Sequence, residues 1–412
     1  MQFNAYNTLD PATLLKLKQQ EAQAILDLVR SIKPDSKPSD LAFIVTNTIR
    51  AQLAVNKLIF AENDVEGKQQ ISVKYGFQEV AENFWSEIIS IEEIFEIKQE
   101  TKPLLFQMGV EFVVPLGRKK DPADGWFLIA DFAESEAERN NDLMFIETVG
   151  NILMFSLDNI RLFEIQAEQR RMRDEMEIAE KIQKQSLPSN LDINSKLDIF
   201  AHTIAHLKVG GDFYDVHPLN DHELYICIAD VCGKGIGAAL LVASVQANLR
   251  ALWGVNAGYD LIIKQLHQAV SYTTRNERFV TLFIGRIDTQ AQTIEYINAG
   301  HNPPVLIHNG KTTELSEGCI PLGIMPLEDY EIGKKPFLPG DVIFLYTDGL
   351  TEQENPQGEF LDYDRLLGFL KTVTTADSIQ IVKTALRYAE SYAEAMPTTD
   401  DITVMSVKFN KL

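Results

Sequence analysis

The sequence predicts an α+β chain in which two sheet-containing regions are joined by one long helix. Its 412 residues exceed what one ordinary hydrophobic core organises. Helical and strand patterns alternate over residues 12–133, and the stretch 141–187 contains no Pro and a single Gly. From residue 197 onward, strand and turn patterns dominate. We therefore expect an N-terminal antiparallel sheet with helices, a linker helix, and two C-terminal sheets with helices on both outer faces.

Composition indicates a globular protein that does not bind nucleic acid. Hydrophobic residues make up 45% and charged residues 24% of the chain, which is enough apolar material for real cores. The formal net charge of −21 argues against nucleic acid as a partner, because phosphate binding needs clustered Lys and Arg. An acidic excess is typical of proteins that bind divalent cations.

The cysteines and the N-terminus favour a cytoplasmic location without a membrane anchor. Cys227, Cys232 and Cys319 are odd in number and lack the spacing of a zinc site, so we interpret them as reduced thiols. The first residues do not resemble a signal peptide. No uninterrupted apolar run approaches the roughly 20 residues that cross a bilayer.

The N-terminal region, residues 1–160, is predicted to be a sensor or dimerisation domain. Its elements follow the order helix, helix, strand pair, small helix, strand pair, long helix. That order resembles a GAF domain, in which helices pack on one side of an antiparallel sheet. The predicted helices cover 12–31, 39 or 40 to about 54, and 80–89, and the predicted strands cover 57–61, 71–75, 111–116 and 126–133.

Residues 161–188 are predicted to form a coiled-coil linker helix. Apolar or small residues recur with alternating spacings of three and four, although the polar Gln169 occupies one position of this seam. A single amphipathic helix lying on its own domain is the alternative. We favour a parallel homodimer, because residues 164–184 are too densely charged for a buried helix. Pro188 ends the helix. The seam residues are Leu162, Ile165, Met172, Met176 and Ala179.

The C-terminal region, residues 189–412, is predicted to be a sandwich of sheets. Early and late helices flank many strands, so helices should cover both outer faces. Strands are expected at 197–206, 223–229, 279–288, 293–298, 304–308, 341–346 and 402–409, and helices at 236–253, 259–274, 363–372 and 376–395.

Carboxylates beside predicted strand ends point to one metal site. Asp212, Asp230, Asp348 and the pair Asp400 and Asp401 lie next to strands or turns, where distant parts of a chain can meet. Oxygen ligands without His or Cys select Mg²⁺ or Mn²⁺. Clustered carboxylates would repel one another unless cations neutralised them. Taken singly, each Asp has a simpler interpretation as a turn residue, and only their combination favours the metal site.

Ordered motifs around these carboxylates resemble the SpoIIE/RsbU-type branch of the metal-dependent (PPM, type 2C) serine/threonine phosphatases. The resemblance covers about residues 170–410 and includes IAEKIQ at 178–183, which looks like the usual entry to the catalytic domain. The other motifs are VGGDFYD at 209–215, IADVCGKG at 228–235, NAGHNPP at 298–304, PLG at 321–323, PGD at 339–341, YTDGLTE at 346–352 and DDIT at 400–403.

The resemblance implies a catalytic site with two or three Mn²⁺ or Mg²⁺ ions. Asp230, with the carbonyl of the following Val231, matches the ligand that bridges two metals. Asp348 and Asp400 match further ligands, and Asp401 is the alternative to Asp400. Asp212 matches a ligand that acts directly or through water. Asp215 is expected just outside these ligands, where it would hold a water molecule or Lys234.

Some residues depart from the family pattern. Cys232 and Gly237 replace the usual Ser and Pro in and just after the Gly-Lys-Gly turn. No arginine is assured as a clamp for the substrate phosphate. His301 could act as an acid or base, but its place in NAGHNPP favours a role in ordering a turn.

The resemblance implies hydrolysis of phosphoserine or phosphothreonine in a bacterial signalling protein by a metal-activated water. Such phosphatases often act on a STAS-domain anti-sigma-factor antagonist and are switched by an N-terminal sensor. Here the N-terminal domain would act through the dimer linker. The alternatives are a catalytically silent binding module, and a ligand sensor or dimerisation scaffold with a polar pocket in residues 15–160.

Overall fold

The protein divides into two compact units, Met1–Arg171 and Met172–Leu412. The computed structural model describes residues 11–33, 36–53, 55–64, 67–117, 123–131, 136–188, 190–327, 329–373, 375–394 and 396–410.

The first unit is built on an antiparallel sheet in the order β2-β1-β5-β4-β3. The predicted helices and strands are present, except that the helix expected over 80–89 is a single turn. A short strand and a short helix, β3 and α4, had no apolar periodicity to reveal them. Residues 132–135, which include the end of the strand predicted over 126–133, lie outside the described residues. The elements are α1 (Pro11–Ser31), α2 (Pro38–Leu53), β1 (Lys57–Asn63), β2 (Gln69–Tyr75), α3 (Trp85–Ile88), β3 (Phe95–Glu96), α4 (Pro103–Gln107), β4 (Phe112–Leu116), β5 (Gly125–Ala130) and α5 (Glu136–Ser186).

Alternating side chains of this sheet enter two hydrophobic cores. Leu58 and Phe60 of β1 pack with residues of α2 and α5 on one face. Ile59 and Ala61 pack on the other face with α3 and its neighbouring loops. This period of two is what a strand imposes on its side chains. The expected antiparallel sheet with helices is therefore confirmed, while its assignment as a GAF domain stays a prediction.

Helix α5 runs without interruption from Glu136 to Ser186, as the absence of Pro predicts. It ends just before Pro188. Its residues up to Arg171 belong to the first unit and those from Met172 to the second.

The second unit contains two sheets. One has the order β13-β10-β9-β8-β7, with β14 also paired to β10, and the other has the order β12-β11-β15-β16-β6. The strands are β6 (Leu197–Ile204), β7 (Asp212–Pro218), β8 (Glu223–Val231), β9 (Val280–Asp288), β10 (Thr293–Ala299), β11 (Val305–His308), β12 (Lys311–Glu314), β13 (Gly318–Cys319), β14 (Gly333–Pro336), β15 (Val342–Tyr346) and β16 (Ile402–Phe409). The helices are α6 (Ile236–Gly254), α7 (Tyr259–Thr274), α8 (Asp348–Thr351), α9 (Tyr363–Val373) and α10 (Ser378–Ala393).

Three hydrophobic layers hold this unit together, and they confirm the predicted sandwich. Ile226, Phe283 and Met405 are among the residues that fill the space between the two sheets. Helices α6 and α7 cover the outer face of the first sheet, and α9 and α10 cover the outer face of the second. Several strands were not predicted, namely β7 and the short, polar β12, β13 and β14.

Two helical segments, Arg139–Ser186 and Ile236–Gly254, have the length and composition of a membrane span. Their most apolar windows are 56% and 39% buried inside the protein. Helices of this length and composition also occur in the cores of soluble proteins, so these two are weak evidence for a membrane span.

Candidate metal centre

The first two predicted ligands face each other across the hairpin of β7 and β8. Asp212 and Asp230 are direct partners in the antiparallel register of these strands. Asp212 is almost fully buried. Like charges directly opposite on a sheet destabilise it, so this pairing has an electrostatic cost that something else must offset.

The pKa values of this pair show that cost. Burial, followed by the charges of the neighbouring Asp348, Asp400 and Asp401, raises the pKa of Asp230 to about 7. Burial, followed by the charge of Asp230, places the pKa of Asp212 well above its usual range. Two carboxyls this close do not both ionise readily without a compensating cation.

Asp348 reaches the same region from the second sheet, where β15 ends and α8 begins. Burial raises its pKa, and Asp400 adds to the effect. The preceding Thr347 is fully buried, and its hydroxyl donates to Asp212 Oδ2 at 2.7 Å. The same hydroxyl accepts the backbone N–H of Thr403 at 2.8 Å. Thr347 therefore joins the segments that carry Asp212, Asp348 and the DDIT motif.

The structure separates the roles of the two adjacent carboxylates. Asp401 is buried and accepts the backbone N–H groups of His206 at 2.7 Å and Gly211 at 2.6 Å. Asp400 is partly exposed and pairs with Lys234 Nζ at 3.0 Å. The backbone occupies both oxygens of Asp401, so the geometry favours Asp400 as the carboxylate that is available to a cation.

Glycines make this convergence sterically possible. A Cβ added at Gly210 would lie 2.7 Å from Asp401 Oδ2, and one at Gly349 would lie 2.0 Å from the Asp401 carbonyl oxygen. A Cβ at Gly211 would lie 2.9 Å from the carbonyl oxygen of Val231. The glycines of the VGGD and TDG motifs thus allow backbone segments to approach the acidic residues closely.

The expected role of Asp215 is wrong. Its carboxylate accepts from Arg250 Nε at 2.6 Å and from Gln246 Nε2 at 3.2 Å, both on α6. Asp215 therefore does not hold Lys234, which pairs with Asp400, and it does not lie beside the proposed metal ligands. Asp215 lies three residues after Asp212 on one strand, so their side chains point to opposite faces of the sheet.

His301 is a buried turn residue. Its Nδ1 shares a hydrogen bond with the hydroxyl of Thr281 at 2.9 Å, and its backbone N–H donates to Asn298 Oδ1 at 2.7 Å. Burial lowers its pKa to about 4, so the ring is neutral near pH 7. These contacts support the interpretation that His301 orders the NAGHNPP turn.

The donor set fits a hard divalent cation. Within the described residues, no three Asp, Glu, His or Cys side chains are arranged so that they could hold a metal ion together. The chemistry of the region nevertheless matches Mg²⁺ or Mn²⁺, because its donors are carboxylates. Burial and neighbouring carboxylates raise the pKa values of Asp212, Asp230 and Asp348, and a bound cation would stabilise their ionised forms. Lys234 supplies one cation, and it is paired with Asp400.

Several residues of the site escaped the sequence analysis. Thr347 stands inside the YTDG motif, and Gln183 inside IAEKIQ, but no role follows from either position alone. In the structure the Gln183 side chain donates to the Gly210 carbonyl at 2.7 Å and accepts the Gly210 N–H at 3.0 Å. The end of α5 is thereby bonded to the turn that precedes Asp212.

Comparison with known proteins gives a consistent result for the second unit. Residues 220–410 match the family of stage II sporulation protein E (SpoIIE). The chain is 29% identical over 266 residues to protein IcfG of Synechocystis sp., a match that covers 58% of this chain and 42% of that protein. It is 28% identical over 218 residues to phosphoserine phosphatase RsbU of Bacillus subtilis, covering 52% of this chain and 64% of RsbU. The chain thus spans less than two thirds of either relative.

A solved structure agrees with the fold. The PP2C domain of SiaA from Pseudomonas aeruginosa superposes with a TM-score of 0.53 at 22% identity, covering 59% of this chain and 99% of that domain. At this identity the likeness supports the fold alone.

Proposed function

We propose that the C-terminal unit of this chain, whose residues 220–410 match the SpoIIE family, is a PPM phosphatase that hydrolyses phosphoserine or phosphothreonine in a partner protein. The observation that carries the proposal is the convergence of Asp212, Asp230, Asp348 and Asp400 from two sheets, together with the raised pKa values of the first three. A purely structural role would not require buried carboxylates to face one another.

The proposed ligands are Asp230 with the Val231 carbonyl, Asp348 and Asp400, while Asp212 acts directly or through water. Mg²⁺ or Mn²⁺ bound here would lower the pKa of a water molecule and neutralise charge on the phosphoryl group.

Other residues of the chain support these ligands. The Thr347 hydroxyl fixes the orientation of Asp212, and Lys234 holds Asp400. Asp401 fastens the backbone of His206 and Gly211, so it has a positioning role.

The substrate is proposed to be a STAS-type regulatory phosphoprotein of a bacterial signalling pathway in the cytoplasm. This part of the proposal rests on the resemblance to RsbU-type phosphatases, among them the phosphoserine phosphatase RsbU of Bacillus subtilis. The net charge of −21 supports a protein rather than a nucleic acid as partner.

Regulation is proposed to pass through α5. Leu162, Ile165 and Met172 of the predicted seam are each at least half exposed. Seam residues of a coiled coil are exposed in this way when the partner helix is absent. In the first unit a cavity of about 530 Å³ is lined by Lys57, Gln78, Glu79 and other residues, which suits a small polar ligand. We propose that such a signal alters the packing of α5 in a homodimer.

The test is hydrolysis of p-nitrophenyl phosphate and of a phosphoserine peptide by the full chain, with and without Mn²⁺ or Mg²⁺. We expect metal-dependent activity that Asp230→Asn abolishes. Asp221→Asn is the matched control, because Asp221 is exposed at the opposite end of the same hairpin. Equal rates for the two variants would contradict the proposed site.

A further inference from the structure

Arg278 lies directly across from the turn that follows Asp230. Strands β8 and β9 pair Val231 with Val280, and the backbone N–H of Cys232 donates to the carbonyl of Phe279 at 3.0 Å. Continuing this antiparallel register places Arg278 opposite Gly233, the first glycine of the Gly-Lys-Gly turn.

The Arg278 guanidinium is packed against two glycines. A Cβ added at Gly233 would lie 3.2 Å from Arg278 Nη1, and one at Gly237 would lie 3.0 Å from the same atom. The absence of side chains at both positions leaves the space that the guanidinium fills. Gly237 is one of the residues by which this sequence departs from the family pattern, so the departure has a structural counterpart.

Arg278 Nη1 is buried and has no hydrogen-bond partner among the described residues. Buried polar groups are normally satisfied, so this unpaired N–H group requires an explanation. Among the described residues no carboxylate is hydrogen-bonded to Nη1, and Asp400 of the proposed metal site is paired with Lys234 instead.

The electrostatic surroundings make the arrangement costly without an anion. Helix α6 begins at Ile236, and its N-cap residue Gly235 provides no side-chain hydrogen bond. The free N–H groups of a helix start carry partial positive charge. A guanidinium beside them adds a second positive charge, and an anion would compensate both.

We propose that Arg278 binds a phosphoryl oxygen of the phosphorylated substrate beside the Asp230 turn, an inference that rests on the proposed phosphatase function. An arginine presents several N–H donors in a planar fork that matches phosphate oxygens. The Arg278 contact supplies substrate binding that the carboxylate ligands, being anionic, do not provide.

The experiment compares the full-length wild type with Arg278→Gln, Arg278→Lys and Arg275→Gln. Arg275 is an exposed arginine three residues away, and its variant has the same change in net charge as Arg278→Gln. The readouts are KM and kcat for a phosphoserine peptide, inhibition by inorganic phosphate, and the melting temperature with and without phosphate at matched ionic strength.

We expect Arg278→Gln to raise KM and the phosphate inhibition constant by about tenfold or more, the usual range for a charge-assisted hydrogen bond. Arg278→Lys should lie between the wild type and Arg278→Gln. Arg275→Gln should stay within about twofold of the wild type, as expected for an exposed substitution. An unchanged melting temperature without phosphate would show that Arg278→Gln is folded.

Two outcomes separate this inference from the proposed function. If the wild type is active and Arg278→Gln has the KM and phosphate inhibition of Arg275→Gln, the role of Arg278 is overturned and the phosphatase stands. If the wild type hydrolyses no phosphoester, the proposed function fails. The change in melting temperature on adding phosphate then tests whether Arg278 binds an anion. A rise in melting temperature that Arg278→Gln loses would support an anion site, and an equal rise in both proteins would overturn it.

Discussion

Replacing Thr347 by Val should weaken both the fold and the metal site. Valine has nearly the shape of threonine, but it removes the hydroxyl that donates to Asp212 Oδ2 at 2.7 Å and accepts from the Thr403 N–H at 2.8 Å. Both partners belong to buried residues, so water does not replace the lost hydrogen bonds.

The expected loss can be worked from these two contacts. A hydrogen bond to a carboxylate contributes about 1.5–3 kcal/mol, and an unsatisfied buried N–H costs about 1–3 kcal/mol. Their sum gives a decrease of about 2.5–6 kcal/mol in the free energy of unfolding. At about 2–4 °C per kcal/mol for a unit of this size, the melting temperature should fall by at least about 5 °C.

The assay is calorimetric unfolding of the full chain in EDTA and in a series of Mg²⁺ concentrations. Thr347→Ser keeps the hydroxyl and is the control, for which we expect a much smaller change. Weaker stabilisation by Mg²⁺ should accompany the Val variant, because Asp212 loses its fixed orientation. A Val variant that melts with the wild type and responds equally to Mg²⁺ would refute this account of Thr347.

Other predictions address the rest of the molecule. Deleting residues 1–160 should change the hydrolysis rate at saturating metal, and an unchanged rate would contradict regulation through α5. Asp215→Asn should leave metal dependence intact but lower stability by about 1–2 kcal/mol, because the Arg250 guanidinium, which is 42% exposed, loses a charged partner and water screens the loss; equal denaturation midpoints for variant and wild type would oppose this. Because the folded-state pKa of His301 is about 4, against 6.5 without the fold, the unfolded chain binds the extra proton first as pH falls. Stability should therefore decrease by up to about 3 kcal/mol between pH 6.5 and pH 4, and His301→Gln should flatten that part of a stability profile measured in denaturant.

Long periodic elements were predictable from the sequence, whereas short polar strands were not. The absence of Pro predicted α5, and apolar runs predicted β8, β9 and β16; the structure contains all four with small shifts at their ends. Strand β12 has the sequence KTTE, which has no apolar face to signal a strand. Its pairing comes from β11, which lies nearby in sequence and provides the hydrogen bonds.

The error at Asp215 has a specific physical origin. No strand bounds were assigned to the VGGDFYD motif between the strands predicted over 197–206 and 223–229, so the alternation of its side chains was not applied. Once Asp212–Pro218 is known to be a strand, the period of two places Asp212 and Asp215 on opposite faces. The acidic constellation itself was predictable, because each Asp stood beside a predicted strand or in a turn that joins two strands.

Two other features depend on contacts that no local pattern contains. The choice between Asp400 and Asp401 follows from which carboxylate accepts the N–H groups of His206 and Gly211, nearly 200 residues earlier in the chain. The position of Arg278 follows from the register of β8 with β9, which brings it to a turn more than forty residues away.

The last turn of α5 has a consequence for how such chains can be recombined. Gln183 binds Gly210, and the Ser186 carbonyl accepts from Gln246 at 3.1 Å and Arg250 at 2.7 Å. A fragment that started at residue 188 would lose all of these hydrogen bonds. The smallest fragment that keeps the C-terminal unit intact therefore begins inside α5. Any foreign input domain would have to be spliced in helical phase, since each inserted residue rotates the incoming face by about 100°.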